Sequence, residues 1–396
     1  MKFCDLTQFY SPVSGGVKRY LAEKIAYLRR HRPNDSHLLV VPGPEDRLVR
    51  SENAVLYEIA SPLISRTSRY RFLYRYDKVR RILHQERPDL IESSDPYQMA
   101  WKSLSTGDEL GVPVLGFYHS HFPEAYIRSA MKFTGEQITA LCIEFARGYI
   151  YELYNRFART IVPSDGLADV LRSWGLRNVV VNELGVDTQI FTPATEPVHQ
   201  LRDRLGLPDD RVILLYIGRL AQEKNTQTLF KAFELLCERE PGRFHLQIIG
   251  DGLQRPLLQQ LKQTTREVHW TPYHEDPQHL ADYYRAADMF VHPGVQETFG
   301  LVTLESQATG TPVVGIRGSY MDRIVFNDLE LWANDNTPPA LAAAIIRMTR
   351  KDLPALGREA HERVHQRYSW DQIFHRLFQI YEEAIAEYQP GAAGHW

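Results

Sequence analysis

Short apolar runs alternate with amphipathic stretches almost from the first residue. "MKFCDLTQF" reads as a strand. Behind it Val17, Tyr20, Leu21, Ile25 and Leu28 fall on one helical face, and "HLLVV" makes the next strand. "PDLIESS", "VPVLGFYHS" and "RTIVPS" continue the series, each short, apolar and followed by a helical pattern, as expected of buried parallel strands in βαβ units. Periodicity lapses in "FTPATEPVHQLRDRLGLPDD", where Pro, Thr and Asp cluster. A second series then opens with the strands "RVILLYIG", "FHLQIIG", "MFVHPG" and "PVVGI", separated by the helical stretches "KNTQTLFKAFELL", "LQRPLLQQL" and "GLVTLESQATG". In the tail "YSWDQIFHRLFQIYEEAIAEY", Trp370, Ile373, Leu377, Ile380 and Ala384 line one stripe of a long closing helix. The pattern predicts an α/β protein of two Rossmann-like, doubly wound domains facing across a cleft. Residues 1–193 form the first and 194–370 the second, and a helix over 371–396 packs back on the first.

Composition adds little to this picture. A chain of 396 residues is long enough for two cores, and 43% hydrophobic with 24% charged residues is ordinary for a soluble protein. A net charge of −3 carries no signature of nucleic-acid binding. Cys4, Cys142 and Cys237 are odd in number, with no Cys-x-x-Cys pair, which favours a reducing compartment. No secretory signal opens the sequence and no apolar run approaches the ~18 residues of a membrane span, so a cytoplasmic protein is expected. One segment departs from the average: residues 65–88 carry eight Arg or Lys against two acids. Phe72, Tyr76, Val79 and Leu83 share one helical face there, and Arg71, Arg75, Lys78 and Arg81 another. This is either a solvated helix packed by its apolar side, or a surface for anionic lipid headgroups or an acidic acceptor, at the inner face of a membrane.

Ligands of open α/β sheets sit beyond the carboxyl ends of the strands, which points to the loops after "CDLTQF", "GFYH", "YIG" and "FVHPG". Gly15 and Gly16 precede the first helix and either let backbone N–H groups approach a phosphate or make a plain turn. Arg219 and Lys224 in "GRLAQEKN" suit a diphosphate, or are a solvated basic pair. In "QETFGLVTLE" a helix opening near Phe299, Gly300 and Leu301 directs its free N–H groups and dipole at an anion. Glu297 then accepts hydrogen bonds from sugar hydroxyls and Glu305, about two turns on, reaches the hydroxyls of a ribose. The alternative makes Glu297 a helix N-terminal acid and Glu305 a surface residue. His119 and His121 form a His-x-His with no Cys or carboxylate at ligand spacing, an incomplete metal site, and the sequence has no Asp-x-Asp. No metal and no cofactor are expected.

"GRLAQEKN", "IIGDGLQRPLL" and "ETFGLVTLESQATGTPVV", in this order and spacing, resemble the donor-binding half of the retaining family 4 glycosyltransferases of the GT-B fold. The likeness continues through "FYSPVSGGVKRY", "YHSHFPEAY", "VPSDGLADVL" and "GVDTQIF", and so covers nearly the whole chain. It implies Gly15 and Gly16 beside a donor diphosphate, Arg219 and Lys224 on its oxygens, Glu297 on the transferred sugar, Glu305 on the ribose, and Phe299, Gly300 and Leu301 at the donor. His119 falls on the family's active-site histidine, with Ser120 in place of the usual Thr. "NELGVD" departs from the family's Asn-Gly-Val-Asp by placing Leu184 before Gly185.

The implied reaction moves a hexose, from GDP-mannose as first expectation and UDP-glucose as second, to a hydroxyl of a lipid or glycan with its configuration retained and without a metal. Two rivals stand beside it, a nucleotide-sugar epimerase of the same fold and a catalytically silent binding module. No nucleic-acid partner is implied.

Overall fold

A computed structural model describes residues 1–8, 10, 15–64, 70–119, 135–194, 200–273, 276–295, 297, 299–318 and 320–389. The chain divides into two units, Met1–Leu184 together with the segment from Trp370 onward, and Gly185–Ser369.

The strands of the first unit are β1 (Lys2–Leu6), β2 (Ser36–Gly43), β3 (Arg47–Arg50), β4 (Ala54–Ala60), β5 (Leu90–Ser93), β6 (Val114–Phe117), β7 (Arg159–Val162) and β8 (Val179–Val181), of which β1, β2, β5, β6 and β7 are the apolar runs named above. Their order is β3-β4-β2-β1-β5-β6-β7-β8, parallel throughout except where β3 runs antiparallel along the edge of β4. Between them lie α1 (Gly15–His31), α2 (Tyr76–Glu86), α3 (Gln98–Leu110), α4 (Glu136–Tyr154) and α5 (Asp165–Ser173).

In the second unit β9 (Val212–Ile217), β10 (Phe244–Ile249), β11 (Val268–Thr271), β12 (Met289–His292) and β13 (Val313–Gly315) make a parallel sheet of order β11-β10-β9-β12-β13. Its helices are α6 (Gln200–Leu205), α7 (Thr226–Arg239), α8 (Arg255–Thr264), α9 (Pro277–Ala286), α10 (Leu301–Ala308), α11 (Pro338–Met348) and α12 (Leu353–Arg367). The last helix, α13 (Trp370–Glu387), belongs to the first unit. Each sheet is Rossmann-like, and its strand order reverses at one place: between β1 and β5, and between β9 and β12.

The units divide at Leu184, before the expected boundary at 193, because the following residues are built into the second unit. Val186 N donates to Tyr368 O at 2.8 Å, Arg285 donates to the carbonyls of Ile190 and Thr192 at 2.6 and 2.8 Å, and Phe191 packs edge-on against Tyr284. The basic segment also differs from expectation. Residue 71 pairs with 63 in an antiparallel bridge, so Phe72 lies outside the helix, which begins only at Tyr76. Arg75 and Lys78 both reach Asp46, at 3.1 and 2.7 Å, and Arg80 reaches Glu109 at 2.7 Å. These cations are neutralised within the unit, as on a solvated helix face.

The buried stripe of α1 is rotated from the expected one. Tyr20, Leu21, Tyr27 and Leu28 are buried, but Ile25 is only partly so, and Lys24 is completely enclosed. Lys24 Nζ donates to Asp5 Oδ1 at 2.9 Å and to Tyr381 Oη at 2.5 Å, and stands 3.6 Å from Glu92 Oε1. His37 bonds the other oxygen of Asp5, and Tyr381 donates to Glu92. Burial penalises charge on both acids. Lys24 and His37 nevertheless hold Asp5 well below the usual carboxylate range, whereas burial and the neighbouring Asp5 charge push Glu92 up to about 8. Tyr381 brings α13 into this cluster, and Phe378 of the same helix packs on Phe3 and stacks on Tyr27 with ring centroids 5.0 and 5.5 Å away. Among the described residues no helix is long and apolar enough to cross a membrane.

Candidate functional site

The loop after β9 carries Arg219 and Lys224, and the loop after β10 fixes its path. Gly250 and Gly252 have φ of +149° and +157°. A Cβ on the first would lie 1.9 Å from Gly218 O, and on the second 2.5 Å from Leu220 O. The two glycines of "IIGDG" thus let one backbone lie directly on another. Leu220 N donates to Asp251 O at 3.0 Å and Gln254 N to Leu220 O at 2.8 Å. Asn225, left-handed at φ 56°, closes the 3₁₀ turn Gln222–Lys224 and opens α7. Its Nδ2 donates to Pro293 O at 2.8 Å and to Asn336 Oδ1 at 2.7 Å. One amide thereby ties the loop after β9 to the loop after β12, across the point where strand order reverses.

That tie brings Lys224 to Glu297. Their side chains meet at 2.5 Å, and His292 Nε2 stands 3.7 Å from the same carboxylate oxygen. Gly294 N donates to His292 Nδ1 at 3.2 Å, which leaves the ring proton on Nε2, facing Glu297. Burial works to raise the pKa of Glu297, but Lys224 and His292 hold it well below the usual carboxylate range. Glu297 therefore stays ionised at any physiological pH. Arg219 is 60% exposed and has its own partner, Glu223, at 3.3 Å. Both expected diphosphate cations thus lie near strand ends, each beside a carboxylate.

α10 begins where the sequence places it. Gly300 stands at the N-cap with φ +91°, and a Cβ there would come within 2.5 Å of Met321 Sδ. Gly300 brings no side chain to cap this helix; Thr303 N turns back onto Gly300 O at 2.9 Å, and the amides of Leu301 and Val302 meet no cap among the described residues. Phe299 is buried against Tyr368, which leaves only its backbone for a donor. Glu305 is buried at 4% exposure and accepts from Tyr284 Oη at 3.1 Å, so the surface reading does not hold for it.

In the first unit, Gly15 and Gly16 open α1 after β1, and residues 11–14 before them lie outside the described residues. His119 follows β6 with its Nε2 enclosed, and Phe117 meets the ring edge-on. Burial, opposed by a hydrogen bond with the backbone at Ser94, lowers its pKa to about 4, so the imidazole is neutral at pH 7. Ser120 and His121 lie outside the described residues. Among those residues no group of three His, Cys, Asp or Glu side chains could hold a metal ion.

Sequence reasoning passed over His292, Asn225 and Asp95. Asp95 follows β5, accepts from Gln8 N at 2.5 Å, and its Oδ1 finds no partner among the described residues. Burial pushes it up to about 7, although the bond from Gln8 acts to lower it. An acid or imidazole at or just past a strand end beside the reversal point is the signal that could have found two of the three.

Two family profiles together cover most of the chain, one in each half. Glycosyltransferase Family 4 matches residues 14–190, and Glycosyl transferases group 1 matches residues 198–366. A GDP-mannose-dependent alpha-(1-6)-phosphatidylinositol dimannoside mannosyltransferase of Mycobacterium tuberculosis is 31% identical over 353 residues, 87% of each chain. An alpha-monoglucosyldiacylglycerol synthase of Streptococcus pneumoniae is 26% identical over 400 residues, 97% of this chain and 86% of that one. Among solved structures, sucrose-phosphate synthase of Thermosynechococcus elongatus superposes with a TM-score of 0.76 at 21% identity, covering 98% of this chain and 99% of that one. With both halves matched, a relative aligned over most of its length and the same two-sheet architecture, the chain belongs to the family 4 glycosyltransferases of the GT-B fold.

Proposed function

We propose that the protein transfers a hexose from a nucleoside diphosphate to an acceptor hydroxyl of a lipid or glycan, with retention of configuration. The observation that carries this reading is the Lys224, Glu297 and His292 cluster at the ends of β9 and β12, beside the uncapped start of α10. The bond between the sugar's anomeric carbon and the phosphate oxygen breaks, a bond to the acceptor oxygen forms on the same face, and the departing phosphate takes the acceptor's proton. Charge building on the diphosphate is met by Arg219, Lys224 and the amides at Gly300 and Leu301, preorganised donors that need no metal. Gly15 and Gly16 let backbone amides face the diphosphate. Ionised Glu297 accepts hydrogen bonds from the transferred sugar, Glu305 serves the ribose, and neutral His119 orients the sugar through a hydrogen bond rather than a charge.

The mannosyltransferase relative supports GDP-mannose as first donor, and the glucosyl lipid synthase keeps a glucosyl donor, UDP-glucose, second. The same names support a lipid acceptor and with it a peripheral, cytoplasmic position, whereas the paired cations of α2 lend that position no support. Incubation with GDP-mannose or UDP-glucose, chelator and candidate acceptors tests the reading. Expected are release of nucleoside diphosphate and an α-linked product by NMR. An inverted product overturns retention, an epimerised nucleotide sugar without transfer makes the protein an epimerase, and binding without release makes it a silent module.

A further inference from the structure

Lys224 and His292 approach the same oxygen of Glu297, Oε2, at 2.5 and 3.7 Å, but they differ in freedom. Lys224 carries its charge on a flexible four-carbon stem and is 28% exposed. His292 is the last residue of β12, in register with Gly315 of β13, and its ring is buried. No step of the proposed chemistry gives that ring a task.

Main chain clamps the imidazole. Phe290, two residues earlier on the same strand face, has its ring centroid 6.2 Å away. A Cβ on Gly294 would come within 2.7 Å of His292 Cε1, so a glycine is needed for the chain to pass this close to the ring. Gly294 N donates to Nδ1 at 3.2 Å, and Asn225 Nδ2 holds the intervening Pro293 O at 2.8 Å. Backbone therefore aims the Nε2–H, with or without a ligand, whereas the ammonium of Lys224 serves whichever anion lies nearest.

We infer that His292 is a positioning residue for Glu297, the group that keeps its carboxylate in place once a diphosphate draws on Lys224. This rests on the reading that Lys224 meets the diphosphate. In the free protein the carboxylate leans on the ammonium. Contraction by less than 1 Å from 3.7 Å brings the imidazole to hydrogen-bond distance, about 2.9 Å. Hydrogen bonds in such sites are often long without ligand and tighten in the complex. Because both partners address Oε2, Oε1 is the oxygen offered to a sugar hydroxyl. His292 supplies an N–H donor, and no proton changes place.

NMR of protein labelled with nitrogen-15 histidine follows the Nε2–H directly, and His292→Gln identifies its signal. Saturation with GDP or UDP should move that proton downfield and slow its exchange with water, with no sugar present. Transfer supplies a second readout. His292→Phe keeps a ring but removes the donor, and should lower kcat about a hundredfold, the cost of a misplacement of about 1 Å, with nucleoside diphosphate affinity within twofold. His292→Gln keeps an N–H donor without the ring and should recover at least tenfold of that loss. A packing role predicts the reverse order, since Phe fills the space better. Thermal unfolding verifies that both variants are folded, and the wild-type NMR decides if His292→Phe is not. Three results overturn the inference: a bound nucleotide with an unmoved Nε2–H signal, His292→Phe with kcat within threefold of wild type, or His292→Gln no faster than His292→Phe. A signal that moves without any transfer sinks the proposed reaction alone, and binding of neither nucleotide removes both.

Discussion

Glu297→Gln should tighten the binding of free nucleoside diphosphate while it abolishes most transfer. In the wild type the Glu297 carboxylate lies 2.5 Å from Lys224 Nζ. A phosphate oxygen bonded to the far side of that ammonium at about 2.8 Å stands about 5 Å from the carboxylate. At 5 Å Coulomb's law gives about 1 kcal/mol of repulsion in water and about 3 kcal/mol at an effective dielectric constant of about 20. Lys224 and Glu297 are 28% and 17% exposed, so the site falls between these limits, and a tightening of about tenfold is expected. Transfer should fall about a hundredfold, because the amide is a weaker acceptor for a sugar whose bond to phosphate is stretching. Calorimetry with GDP and UDP measures the first effect and steady-state product formation the second. Unchanged or weaker nucleotide binding would show that Lys224 does not touch the diphosphate. From sequence alone the two residues divide the ligand between them, but the structure couples them through one shared charge.

Three further outcomes follow from the geometry. Arg219→Ala, at an exposed site, should lower transfer about a hundredfold with almost no change in Tm, and near-normal turnover would return Arg219 to a solvated charge. Gly250→Ala combines a positive φ with a Cβ 1.9 Å from a backbone carbonyl, so denaturant titration should show a loss of about 3 kcal/mol or more, with nucleotide binding weakened as the loop after β9 shifts. Glu92 has a folded pKa raised to about 8 from an unfolded value near 4.3, so its stabilising proton is fully present below about pH 4.3 and its contribution is lost as pH rises through 8. Glu92→Gln should remove that decline, about 1.4 kcal/mol per pH unit inside the window, and parallel stability curves for variant and wild type would refute it.

The strands that build the sheet centres were legible because they are short, apolar and spaced by helical pattern. The edges were not. β3 is exposed along its whole length and β11 buries only Val268 fully, so neither carries the apolar run that marks a buried strand. In the candidate site the residue types at the strand ends could be read, but their pairings could not. Nothing near Lys24 in the sequence announces burial, since Glu92 and Tyr381 arrive from distant segments. The surface alternative for Glu305 fails for the same reason, because an acid inside an amphipathic helix reads as solvated until Tyr284 is placed beside it. Asn225 shows the converse: a helix-opening residue whose amide is spent on a loop far along the chain.

The place of Tyr381 sets the order in which the protein can be made. The first unit is assembled from two stretches of chain, and the hydroxyl that completes the Lys24 and Glu92 cluster lies in the later one. A ribosome adding about 5 to 20 residues per second needs roughly 10 to 40 s to pass from Leu184 to Tyr381. Through that interval Lys24 and Glu92 lack their tyrosine, and Phe3 and Tyr27 lack the ring of Phe378. The unit begun first is therefore finished last, while the continuous stretch 185–369 can mature ahead of it. Nascent chains stopped short of α13 would expose that unfinished apolar face, the surface on which a chaperone would act.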